Sequence, residues 1–183
     1  MRHPYILAVC IAGVTAVAGC GEKNANATVE RAFKDVNVVD ETNLSDVMLT
    51  VADPNEAVTY FARSAKQDPT RIDHQRGLAS SLIRAKRVTE GVVEWSKVTK
   101  MKDATPDDSV EHADALIRSG DWATAEKVLN TIPPTHETFS RYRLEALVSD
   151  SKQDWKKSDS FYEIAVGLTT TPASVMNNWG YSK

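Results

Sequence analysis

The chain has 183 residues, 42% hydrophobic and 26% charged, with a formal net charge of -3. That is the make-up of one ordinary globular domain plus a tail, not of a collagen-like, disordered or disulfide-stapled chain. The slightly acidic balance gives no electrostatic footprint for nucleic acid.

Residues 1–19 read as an export signal. Arg2 supplies the positive start, and Tyr5–Val17 is a 13-residue, largely apolar run, the length of a signal core and too short to span a bilayer. The four residues Val17-Ala18-Gly19-Cys20 resemble the lipobox of bacterial lipoproteins. That resemblance implies a lipid anchor on Cys20, which becomes the first mature residue. Several acyl chains hold a protein stably where one does not. Gly21, in place of an aspartate, leans towards the outer membrane. Cys10 leaves with the signal, so the mature chain has neither an intramolecular disulfide nor a thiolate metal cluster. Residues 20–37 are polar after the cysteine and read as a flexible tether.

From 38 to 183 the pattern is helical. Leu44, Val47, Met48 and Val51 form one face of a first helix. Asp53-Pro54-Asn55-Glu56 is a helix start, with a cap, a proline at the first position and an acid at the third. Ala57, Phe61 and Ala65 mark that second helix, which Asp68-Pro69 ends. The next pair runs from Ile72 to near Met101 and turns at Lys86-Arg87. Thr105-Pro106-Asp107-Asp108 opens a third pair, whose first helix carries Val110, Ala113, Leu116 and Ile117. Ser119-Gly120 breaks it, and Asp121 caps a partner with Trp122, Ala125, Val128, Leu129 and Ile132 at helical spacing. Pro133-Pro134 must interrupt the helix there, which predicts a distorted junction with the fourth pair. Asp154-Trp155 opens the last complete helix, and Thr171-Pro172 opens one more, Ala173–Lys183. A final first helix without its partner leaves Met176 and Trp179 poorly covered, as expected if the protein continues or a partner sits there.

None of these short helices is stable alone, so they must stack. Small residues recur on the first helices at Ser45, Ala79, Ala113, Ala146 and Gly180, in steps of 34, 34, 33 and 34. Small residues at Ala57, Gly91, Ala125 and Ser158, and bulky ones at Phe61, Trp95, Leu129 and Tyr162, keep the same phase. Small side chains let paired helices approach, and the bulky one fills the gap to the next hairpin. With Leu44, Pro69, Leu78, Leu82, Val98, Leu116, Ile132, Ala165 and Trp179 also in place, the chain resembles the tetratricopeptide repeat family. The resemblance implies an all-α superhelix of four hairpins plus the first helix of a fifth. His112 and Glu145 stand where the family has leucine, Ser149 replaces a large apolar residue, and the fourth first helix is open to a one-residue change of register.

In that family the first helices line a groove, and its positions map here to Asp73, Arg76, Ser80, Ile83 and Arg84, then Asp107, Val110, Asp114, Ile117 and Arg118, then Ser140, Arg143 and Leu147. The partner-binding set taken from these is Arg76, Ile83, Arg84, Val110, Asp114, Ile117, Arg118 and Arg143. Arg84 and Arg118, equivalent in successive repeats beside Ile83 and Ile117, suit an extended peptide with acidic groups. The competing expectation is a solvated face whose arginines pair with Asp73, Asp107 and Asp114.

No enzyme is expected. His74, His112 and His136 lie in three different hairpins without metal-ligand spacing, and there is no phosphate loop or nucleophile motif. Asp107-Asp108 sits in a first turn, where the helix dipole accounts for it. Neither a cofactor, a metal, a catalytic residue nor a small-molecule substrate is implied.

A narrower resemblance lies in the last third. The runs Ile132-Pro133-Pro134-Thr135-His136-Glu137-Thr138, Arg141-Tyr142-Arg143-Leu144-Glu145-Ala146, Asp159-Ser160-Phe161-Tyr162-Glu163, Gly167-Leu168-Thr169-Thr170 and Asn177-Asn178-Trp179-Gly180-Tyr181-Ser182-Lys183 are similar to the Flp/Tad (tight adherence) pilus assembly lipoproteins of the TadD type. This implies an envelope adaptor, lipid-anchored and periplasm-facing, that helps assemble or localise the pilus secretin. The alternative is a general scaffold for cell-wall enzymes or outer-membrane protein assembly.

Overall fold

The computed structural model describes residues 43–182. The expected signal peptide, Cys20, the expected tether and residues 38–42 lie outside the described residues, as does Lys183. Nine helices follow one another among the described residues: α1 over 43–50, then α2 (Pro54–Gln67), α3 (Ile72–Arg84), α4 (Val88–Val98), α5 (Pro106–Arg118), α6 (Trp122–Leu129), α7 (Phe139–Ser151), α8 (Trp155–Gly167) and α9 (Ala173–Ser182).

Local chemistry sets the boundaries. Asp53 accepts from the Asn55 and Glu56 amides at 2.8 and 3.4 Å, with Pro54 at the first helical position. Asp121 and Asp154 cap α6 and α8 by accepting from Thr124 and Lys157 at 3.0 and 3.3 Å. At the start of α5 the Asp108 carboxylate accepts the Thr105 amide at 2.7 Å and its hydroxyl at 3.1 Å. The bonds from backbone amides satisfy donors that the helix itself leaves orphaned.

The turns inside the second, third and fourth hairpins are copies. Lys86, Gly120 and Gln153 all lie in the left-handed region, with φ of 61°, 84° and 62°. The next residue donates back five places each time: Arg87 to Leu82, Asp121 to Leu116 and Asp154 to Ser149, at 2.9, 2.9 and 3.0 Å. Only Gly120 adopts this conformation without steric cost.

From α2 to α9 consecutive helices pack on one another, and α5 also reaches α7 and α7 reaches α9. The result is an all-α solenoid of stacked hairpins. Ala79, Ala113 and Ala146 are fully buried, as are Ala57, Ala125 and Ser158, and Phe61, Trp95, Leu129 and Tyr162 plug the stack. Burial of Ala146 settles the register of α7 in phase with the other hairpins. The approach is tight: a Cβ on Gly91 would lie 2.5 Å from Ile83 Cδ1.

One element departs from expectation. On α1, Leu44 and Val47 are exposed, as is Val51 in the turn after it, and the half-buried side is Ser45, Met48 and Leu49. The packed face follows the repeat register, with Ser45 near Tyr60 of α2 at 3.3 Å between oxygens. The expected distortion is found after α6, a helix of only eight residues. The chain is non-helical over 130–138, and α6 touches α7 less than α2 touches α3 or α4 touches α5. Arg141 secures that loop, donating to Pro133 O at 2.7 Å and His136 O at 3.2 Å. Beside it, Ser149 is buried at the position of Leu82 and Leu116. A cleft of about 230 Å³ opens there, lined by Leu129, Arg141, Glu145, Val148, Ser149 and Phe161 among others.

Candidate interaction groove

The first helices α3, α5 and α7 present a common face. Between α3 and α5 it contains a pocket of about 180 Å³, lined by Ser80, Ile83, Arg84, Trp95, Glu111, Asp114, Ala115 and Arg118. Ile83, Trp95 and Ala115 make an apolar floor within one hydrophobic cluster, and the charged groups stand around it.

The arginines of this face are largely engaged within the molecule. Arg76 forms a two-pronged pair with Asp108, Nε to Oδ1 at 2.7 Å and a terminal nitrogen to Oδ2 at 2.8 Å. It also reaches Asp73 at 3.1 Å and Asp103 O at 3.3 Å. The guanidinium is held above its ordinary range, chiefly by the hydrogen bonds it donates to Asp108. Burial raises the Asp108 carboxyl, yet the Arg76 and Thr105 hydrogen bonds bring it below the usual value. Arg84 donates to Met48 O and Ala52 O at 3.0 and 3.1 Å, closing the C-terminal end of α1. Arg118 and Arg143 share Asp114, the first through Nε and the second through a terminal nitrogen at 3.1 Å.

Of the residues expected in the groove, the structure brings Ile83, Arg84, Asp114 and Arg118 into one pocket. Arg143 joins them through Asp114, whereas Arg76 is a strut between α3 and α5. Ile117 is half-buried against the core of the third and fourth hairpins. Val110 does not belong to the groove. It is buried with Ala113, Leu116 and Leu144, because α7 closes on α5 at that level. Asp107 pairs not with an arginine but with His136, whose Nε2 lies 2.9 Å from Oδ1.

Glu111 was missed by position counting. It is solvent-exposed on α5 and makes no hydrogen bond or ion pair among the described residues. Desolvation by the surrounding wall pushes its carboxyl up, Asp114 adds to this, Arg118 and Arg143 pull it down, and Asp107 raises it again. The signal was present in the sequence: Asp107, Glu111 and Asp114 fall at i, i+4 and i+7, one side of a helix.

No family model matches the chain, and no curated protein matches it in sequence. Among solved structures it is similar to MamA, residues 41 to the end, from Desulfovibrio magneticus RS-1, with a TM-score of 0.66 at 19% identity over 77% of this chain and 80% of that one. The MamA RS-1 ArsTM double mutant gives a TM-score of 0.66 at 18% identity, with the same coverage. The likeness shows the fold: a tetratricopeptide-like helical solenoid.

The histidines do not converge. His74 and His112 are buried, and desolvation, with a smaller contribution from Lys100, lowers the His112 imidazole below its ordinary value. Among the described residues no group of three His, Cys, Asp or Glu side chains could hold a metal ion. No described helix is long and apolar enough to cross a membrane.

Proposed function

We propose that this chain is an interaction adaptor of the bacterial cell envelope, anchored by lipid on Cys20, that holds a protein partner on the face formed by α3, α5 and α7. The observation that carries the reading is the pocket between successive first helices, with Ile83, Trp95 and Ala115 as its floor and charged groups at its rim. A surface of this kind selects a side chain and a stretch of backbone and performs no chemistry. Its size agrees: about 180 Å³ is below the roughly 300–1,000 Å³ of small-molecule sites. The terminal sequence runs and the lipobox support the Flp/Tad pilus machine as the setting, with its secretin or another component as the partner.

A photo-crosslinking residue in place of Ser80, in cells making the full chain, is expected to capture the secretin or another pilus component. Crosslinks confined to cell-wall enzymes or outer-membrane assembly factors would move the protein to general envelope scaffolding. Absence of any crosslink from Ser80 would refute the groove as the partner site. The anchor is tested separately: Cys20→Ser should shift the protein from the membrane to the soluble fraction, and firm membrane association of that form would refute lipidation.

A further inference from the structure

The arginines of the groove invite an acidic ligand, but their bonding points elsewhere. Both terminal nitrogens of Arg84 are committed to Met48 O and Ala52 O. Arg118 and Arg143 both lean on Asp114, and Arg76 is turned away to Asp108. Of the ionisable side chains lining the α3–α5 pocket, Glu111 is the one that holds neither a hydrogen bond nor an ion pair among the described residues. A carboxylate brought to the spare nitrogens of Arg118 would come up against Asp114 and Glu111, and like charges side by side in a partly desolvated site repel strongly.

A cation finds in Glu111 a carboxylate that no arginine of the pocket bonds, while Arg84 and Arg118 are already engaged with carbonyls and with Asp114. Ile83, Trp95 and Ala115 offer apolar surface for an alkyl stem, as long basic side chains bury their methylenes while the charged end stays at the rim. The volume fits one such side chain: about 180 Å³, against roughly 150 Å³ for an engineered cavity that houses benzene. The remaining donors of Arg118 then suit a neutral backbone carbonyl of the same segment.

We propose that the pocket between α3 and α5 takes a lysine or arginine side chain from an extended segment of the partner, with its stem on Ile83, Trp95 and Ala115 and its charge on Glu111. This rests on the adaptor reading and names the chemistry of its partner. The Glu111 carboxyl is raised first by desolvation and then by Asp114, and an incoming cation offsets both.

The test is a phage-displayed random peptide library panned on the full chain in detergent, with the enriched peptides titrated by calorimetry. Glu111→Gln, Glu111→Lys and Ser80→Arg are compared with wild type after far-ultraviolet circular dichroism shows each to be equally helical. Expected are basic peptides whose affinity falls roughly ten-fold or more in Glu111→Lys and is recovered when the peptide's lysine is changed to glutamate. Acidic peptides, or basic ones indifferent to Glu111 yet blocked by Ser80→Arg, would overturn the cation site and leave the groove standing. Peptides insensitive to both positions, or no enrichment, would overturn the groove as well.

Discussion

Replacing Ser149 by leucine tests whether the cleft at the third junction is the space of a missing side chain. Leu82 and Leu116 fill the equivalent positions in the two preceding hairpins, and Ser149 is as buried as they are. The cleft of about 230 Å³ beside it has Leu129, Val148 and Phe161 as its apolar lining, together with charged groups that include Glu126, Arg141, Glu145 and Lys157. Burying a leucine side chain stabilises by about 1.5–3 kcal/mol. Against this stands the lost bond from Ser149 Oγ to Glu145 O at 2.9 Å, a contribution of about 0.5–1.5 kcal/mol. The net expectation is a gain of about 1–2 kcal/mol, or roughly 3–8 °C in Tm. Calorimetry gives the magnitude, and hydrogen exchange should place the added protection in α6, α7 and α8. Destabilisation, or unchanged stability with exchange faster in α7, would refute the reasoning: the cleft would then not be the shape of a leucine.

Other consequences are equally measurable. Asp108→Asn removes the charge and one prong of the pair with Arg76, which keeps Asp73 and Asp103 O, and weakens the start of α5, so urea unfolding should show a loss of about 1.5–3 kcal/mol. His112→Leu should stabilise more at pH 5 than at pH 7.5. The folded imidazole binds a proton less readily than the unfolded one, so wild-type stability is full above the ordinary value of 6.5 and declines as pH falls below it. Equal gains at both pH values in urea titrations would exclude that origin. Gly120→Ala should cost about 1 kcal/mol because φ is 84° there, whereas Gln153→Gly at φ 62° should be neutral or stabilising by less than about 1 kcal/mol in thermal unfolding.

The repeat was legible because burial acts on residue size with a fixed period. Ala57, Gly91, Ala125 and Ser158 occupy one place in four hairpins, and only small side chains fit it. The caps at Asp53, Thr105, Asp121 and Asp154 were legible for a similar reason, since their chemistry is confined to a few neighbouring residues. The turns at Lys86 and Gln153 carry no glycine, so only their distance from Gly120 marks them. What position counting could not deliver was how the first helices roll on one another. The step of 33 residues and Pro133-Pro134 bring α7 against α5, which takes Val110 into the core beside Leu144. The use of Arg84 was hidden as well, because its acceptors are backbone carbonyls 32 and 36 residues away. A guanidinium's choice between a ligand and the end of another helix leaves no trace in composition or spacing. The acidic stripe ending at Asp114 was visible, but that Glu111 alone remained unmatched depended on which arginines had found partners first.

The junction over residues 130–138 joins two better-packed parts of the stack. The angle between them is fixed by the shared cluster of Leu116, Leu129, Ile132 and Leu144, by the pairs Arg143–Asp114 and Lys152–Glu126, and by the guanidinium of Arg141 spanning the loop to Pro133 and His136. Arg141 lines none of the pocket between α3 and α5, yet it braces the bend on which the alignment of α7 with that pocket depends. Part of what holds α7 in place beside the binding face is thus a brace that a ligand never meets.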